Sequence, residues 1–143
     1  VRTRGNLAAL VVGLALVLAG CGHEAGPTPN GAAEDPGLRG LRIKLAALAT
    51  DQCFADPARQ LPKGCEKYVT QVGGTVGAIE KSAAGLPQVP QQAAQVRKAV
   101  ATYRDEGCGE IATPGGVCTQ ALTDIGSVLG RIRAGLGTQP ASP

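Results

Sequence analysis

Aromatic residues are nearly missing from this chain of 143 residues: Phe54, Tyr68 and Tyr103 are all there are, and Trp and Met are absent. Three rings are too few for a base-stacking nucleic-acid platform or an aromatic-lined cofactor pocket. Histidine occurs once, at position 23, so a mixed zinc site and a histidine-dependent active site both lack material. Ser82 and Ser127 consequently have no base to activate them, and Pro114-Gly115-Gly116 has no Lys-Ser/Thr behind it to make a phosphate loop. No two cysteines stand in C-x-x-C spacing, which disfavours thiol redox catalysis. Charge of one sign is also missing, with 14 basic against 11 acidic residues. The reading is of a protein that is not an enzyme, without cofactor, metal or nucleic acid.

The one long apolar run lies near the N-terminus. Arg2 and Arg4 precede it, Leu7 to Ala19 make it up, and Gly20 and Cys21 close it. That stretch is too short for a helix to cross a bilayer, which needs about 20 residues. A cationic start, a short apolar centre and small residues at its end have the layout of a cleaved export signal, with Val1 read as an alternative start. Leu18-Ala19-Gly20-Cys21 resembles the lipobox of bacterial lipoproteins. The resemblance implies that residues 1–20 are removed and that Cys21 carries a diacylglycerol. The chain is then an exported protein moored to the outer face of the cell membrane. Two acyl chains give stable anchoring where one is marginal. The resemblance ends at Cys21 and says nothing about the rest.

With Cys21 committed to lipid, Cys53, Cys65, Cys108 and Cys118 remain, an even number in an exported chain, and two disulfides are the default. Residues 21–37 are rich in Gly, Pro and Ala without apolar period and read as a flexible tether, of roughly 20–25 Å mean span. His23 falls there as a solvated residue. Residues 38–136 read as one folded domain and 137–143 as a frayed tail.

Four segments of that domain carry apolar residues at 3-and-4 spacing, the mark of a helix with one buried face. They are Leu38, Leu41, Leu45, Leu48; then Cys65, Val69, Val72, Val76, Ile79, Ala83, Leu86; then Val89, Ala93, Val96, Val100, Tyr103; then Cys118, Leu122, Ile125, Leu129, Ile132, Leu136. No segment alternates as a strand does. The fold class is all-α: a small up-down four-helix bundle with two disulfide-stapled helical hairpins. Gly85 as a C-cap, with Pro87 and Pro90, makes the second turn short, and Thr113 with Pro114 would start the fourth helix. Cys53 should end helix one and Cys65 begin helix two; Cys108 and Cys118 should bracket the third connection likewise. Pairing Cys53 with Cys65 and Cys108 with Cys118 closes two short loops, and the crossed pairing is the alternative. Gly73, Gly74 and Gly77 either weaken helix two or let a neighbour approach closely.

An up-down course gathers the start of helix one, the second turn and the end of helix four at the tethered pole. Arg39, Arg42, Lys44, Arg131 and Arg133 fall there as a candidate membrane-facing patch. The two cysteine-bracketed loops fall at the far pole. Phe54, Arg59, Leu61 and Ile111 are the candidate binding residues in them, because loops on a rigid scaffold tend to carry recognition. The function class indicated is a non-enzymatic interaction module with an envelope protein partner. The alternative is a small-ligand or lipid carrier with a cavity between the helices.

Overall fold

A computed structural model describes residues 35–137. The expected signal peptide, the expected lipidation site Cys21, the expected tether up to residue 34 and the expected tail from residue 138 lie outside the described residues. Among those described, every regular element is helical and two disulfides are formed.

The first helix, α1 (Pro36–Leu48), begins two residues before the expected start. Asp35 accepts the Leu38 N–H at 2.9 Å and Pro36 supplies a preset φ, so the cap recruits residues assigned to the tether. Cys53 does not end this helix. It sits on a separate short helix, α2 (Gln52–Ala55), capped by Asp51, whose carboxylate accepts the Cys53 N–H at 2.8 Å. Two 3-10 turns follow, Pro57–Arg59 and Pro62–Cys65.

The second apolar stripe occupies two helices, α3 (Glu66–Gly73) and α4 (Val76–Ser82), instead of one. The interruption is at Gly74 and Thr75. Thr75 is fully buried, its N–H bonding Val72 O at 2.8 Å and its hydroxyl donating to Gln71 O at 2.7 Å. A glycine weakens the helix and the threonine hydroxyl competes for a helix carbonyl. Only Gly73 among the nearby glycines serves close approach: a Cβ there would lie 3.2 Å from Arg104 Nη2 and 3.4 Å from Val100 Cγ1. Gly77 faces open space.

Helix α5 (Val89–Asp105) and helix α6 (Gly116–Gly137) form a long hairpin on which the other helices pack. Helices α3 and α4 lie against α5, α2 against α6, and α1 against both α4 and α6. Helix α4 ends before Gly85, which has no positive φ and is not its cap. Thr113 and Pro114 do not start α6 either, because Gly115 and Gly116, at φ 110° and 61°, turn the chain first. Thr119 Oγ1 then accepts the Gly115 N–H at 2.6 Å.

All the stripe residues are buried except Leu38 and Leu86, which are half-buried against the same core. Each fully buried Leu or Ile contributes about 1.5–3 kcal/mol. Tyr68, Ala99, Ala121 and Val128 complete this core from positions beside the stripes.

Candidate functional site

The disulfides join Cys53 to Cys65 and Cys108 to Cys118, so each closes a local loop. The four bridged cysteines are buried, and the turns Pro62–Cys65 and Cys108–Glu110 of the two loops pack against each other.

Within the first loop, the Gly64 N–H bonds Leu61 O at 2.9 Å and draws the Pro62–Cys65 turn tight. In the second, Gly107 takes the left-handed region at φ 64° and releases the chain from α5 into the turn Cys108–Glu110. The two loops then bond to each other. The Lys63 N–H donates to Ile111 O at 2.9 Å, and the buried Tyr103 hydroxyl donates to Pro62 O at 2.6 Å. Glu66 packs over Gly109, whose missing Cβ would lie 3.4 Å from the carboxyl carbon. Burial, and then the Glu66 charge, push the Tyr103 hydroxyl above its ordinary pKa, which keeps it a donor.

Two of the four candidate binding residues lie on the bonded loops. Leu61, two residues before Lys63, and Ile111, which accepts its bond, stay 45% and 38% exposed. Val117, 45% exposed, follows on the second loop; its class was legible, but it lay outside the four candidates. Arg59 is exposed and forms a 3.6 Å ion pair with Asp56, an arrangement worth little at the surface. Phe54 is half-buried on α2 and faces α6: its carbonyl oxygen is 3.4 Å from the Cβ position of Gly126, and the Arg133 guanidinium lies over its ring at 5.8 Å.

That contact joins Phe54, at the start of the first loop, to one of the five basic candidates. Three of the five basic candidates are similarly engaged. Arg42 donates through Nη2 to Leu136 O, satisfying a carbonyl at the end of α6 and placing a cation at its negative pole. Arg131 donates to Ser127 Oγ at 2.8 Å and Gln95 Oε1 at 3.1 Å. Arg39 and Lys44 are exposed on α1. The Arg42–Leu136 bond, with Ser82 Oγ 3.1 Å from the Gly37 Cβ position, does bring the two ends of the described chain and the end of α4 together.

Among the described residues no group of three His, Cys, Asp or Glu side chains converges as metal ligands would, and no helix is long and apolar enough to cross a membrane. The concavities flanking α5 open to solvent: one of about 340 Å³ between α5 and α6, one of about 380 Å³ over Gly73 and Gly77, and one of about 220 Å³ beside Glu66 and Glu110. Comparison with known proteins finds no family model, no curated protein and no solved structure that matches this chain.

Proposed function

We propose that this protein is a lipid-anchored, extracytoplasmic interaction module of the bacterial cell envelope, without enzymatic activity, that presents its two disulfide-braced loops to a protein partner. The observation that carries the reading is the fused rim. Two loops from distant parts of the sequence share the Lys63–Ile111 hydrogen bond, Tyr103 of α5 fastens the first of them through Pro62, and Leu61 and Ile111 stay exposed on the bonded loops. Preorganised apolar side chains lose little entropy on docking, which favours recognition over packing as their role. Lipidation rests on Leu18-Ala19-Gly20-Cys21 and the cationic, apolar segment before it.

In this reading the helices form four legs of an up-down bundle: α1, then α3 with α4, then α5, then α6. The rim caps one end. Arg39 and Lys44, with Lys81, face the headgroups at the other, each nearby cation contributing up to about 1 kcal/mol. The carrier alternative needs enclosed space between the helices, whereas the concavities flanking α5 are open grooves.

The test has two arms. Intact-mass measurement of the membrane-extracted protein should find Cys21 as the first residue, with a diacylglycerol on its sulfur; a free thiol there removes the anchor. Photocrosslinkers at Leu61 and Ile111 in native envelopes should each capture the same protein, and one at Ile43, exposed on α1, should not. Equal capture from Ile43, or none from the rim, overturns the binding reading.

A further inference from the structure

Ile43 is the most exposed large apolar side chain among the described residues, at 64%, and it stands in the middle of the outer face of α1. At about 100° per residue, Arg39 and Ala47 lie about 40° to either side of it, Gly40 and Ala46 about 60°, and Lys44 about 100°. All five are exposed, and a Cβ at Gly40 would meet nothing. Leu41, Leu45 and Leu48 take the opposite face into the core. The outer face is therefore one branched apolar side chain in a bed of small residues, with a cation on each flank.

No acid stands on that face. The nearest carboxylates along the described chain, Asp35 and Asp51, are occupied as caps and accept the Leu38 and Cys53 N–H groups. Arg39 and Lys44 make no ion pair among the described residues. A second copy docked on this face would set both cations against their own like charges, with no carboxylate to answer them. An anionic lipid surface answers both features of the face: headgroups take the cations and the acyl boundary takes the isoleucine. Arg and Lys suit the flanks, because their long apolar stems lie along such a boundary while their charged ends stay in water.

One isoleucine and two cations are too little to hold a free protein on a membrane, but they suffice for one already moored. From Cys21 to Pro36 the chain advances fifteen residues, which reach at most about 50 Å fully extended. Once the anchor is in place the contact is intramolecular, and effective concentration makes up for weak affinity. We propose that the outer face of α1 lies on an anionic bilayer surface, with Ile43 entering the headgroup region between Arg39 and Lys44. This rests on the lipid-anchor reading and adds an orientation to it: α1 inclines along the membrane instead of meeting it only at its first turn.

The test places an apolar diazirine side chain at position 43 of the lipidated full chain, reconstituted into vesicles of phosphatidylcholine alone or mixed with phosphatidylglycerol. Lipid adducts should form at position 43, and far fewer at a matched probe replacing Val117 of the second loop, 45% exposed. Adducts at 43 should be about fivefold or more frequent in the anionic vesicles, the factor that one cation near such a surface supplies. Arg39→Gln with Lys44→Gln should remove that preference; both side chains are exposed, so the fold should survive. No lipid adduct from 43, equal adducts from 43 and 117, a preference that outlasts both cations, or an adduct to a second copy would each overturn the proposal. The intact mass of the same sample keeps the two readings apart. An unmodified Cys21 overturns the anchor and this contact together, whereas a diacylated chain without adducts at 43 overturns this contact alone.

Discussion

Tyr103 ties helix α5 to the first disulfide loop: its hydroxyl donates to the Pro62 carbonyl at 2.6 Å in a buried setting. Tyr68 is as deeply buried, yet its hydroxyl oxygen has no hydrogen-bond partner among the described residues. The same chemical deletion should therefore act oppositely at the two sites. Tyr103→Phe strands a buried carbonyl and should cost about 1–2 kcal/mol. Tyr68→Phe removes an unsatisfied group and should be neutral or stabilising by up to about 1 kcal/mol. Urea denaturation of the two variants at neutral pH checks both signs.

The alkaline limb of stability should report the same pair. Both hydroxyls are raised above the ordinary value of 10.0, by burial first and then by Asp51 at Tyr68 and Glu66 at Tyr103. Above the unfolded pKa the unfolded chain gives up these protons while the folded chain keeps them. The folded state then binds more protons than the unfolded one, so stability falls as pH rises past 10. Tyr68→Phe should flatten that fall, seen as a smaller loss of urea midpoint between pH 9 and 11 than in the parent. An unchanged slope would mean that Tyr68 ionises as freely folded as unfolded.

Helical stripes were legible because burial repeats at 3.6 residues wherever a helix lies on a core. That is why Leu41, Val72, Val96 and Ile125 could be placed from spacing alone. The local disulfide pairing was legible for a related reason: short loops between helix ends favour it, and the structure has it. Boundaries were not, because single side chains set them. Asp35 extends α1, Thr75 interrupts the second stripe, and two left-handed glycines delay α6. The rim was half legible. Leu61 and Ile111 could be named as loop residues, but the Lys63–Ile111 bond joins positions 48 residues apart and has no local signal. The half-buried setting of Phe54 had no local signal, because it depends on Gly126 of α6, a contact across the fold.

Glycines on one helix should divide by what stands opposite them. Gly126 is buried, with the Phe54 carbonyl oxygen 3.4 Å from its Cβ position, whereas Gly130 one turn on has open space. Gly130→Ala should stabilise by about 0.5–1 kcal/mol through helix propensity. Gly126→Ala gains the same propensity but sets its Cβ against the Phe54 carbonyl oxygen at 3.4 Å, and should stabilise less than Gly130→Ala. Gly107→Ala, in the left-handed region at φ 64°, should cost about 1 kcal/mol despite the space around it. Thermal melts of the three single variants would rank Gly130→Ala above the parent, Gly126→Ala below Gly130→Ala, and Gly107→Ala below the parent.

The disulfides should act through the unfolded chain and be hard to reach in the folded one. They close loops of 12 and 10 residues' separation, for which chain entropy gives about 3 kcal/mol each. Replacing either pair by alanines should lower stability by roughly that amount, in a core where many helix positions are small. The four bridged cysteines are at most 6% exposed, so a reductant should act on the parent at the rate of local or global opening and not at that of the surface. Alkylation followed by mass measurement, with and without urea, separates the cases. The loops are also fastened to each other through Lys63 and Ile111, so removing Cys108–Cys118 should loosen the first loop as well. Faster reduction of Cys53–Cys65 in the Cys108→Ala, Cys118→Ala variant, beyond what its global destabilisation explains, is the sign of that coupling. Equal rates after correction for stability would show two independent staples.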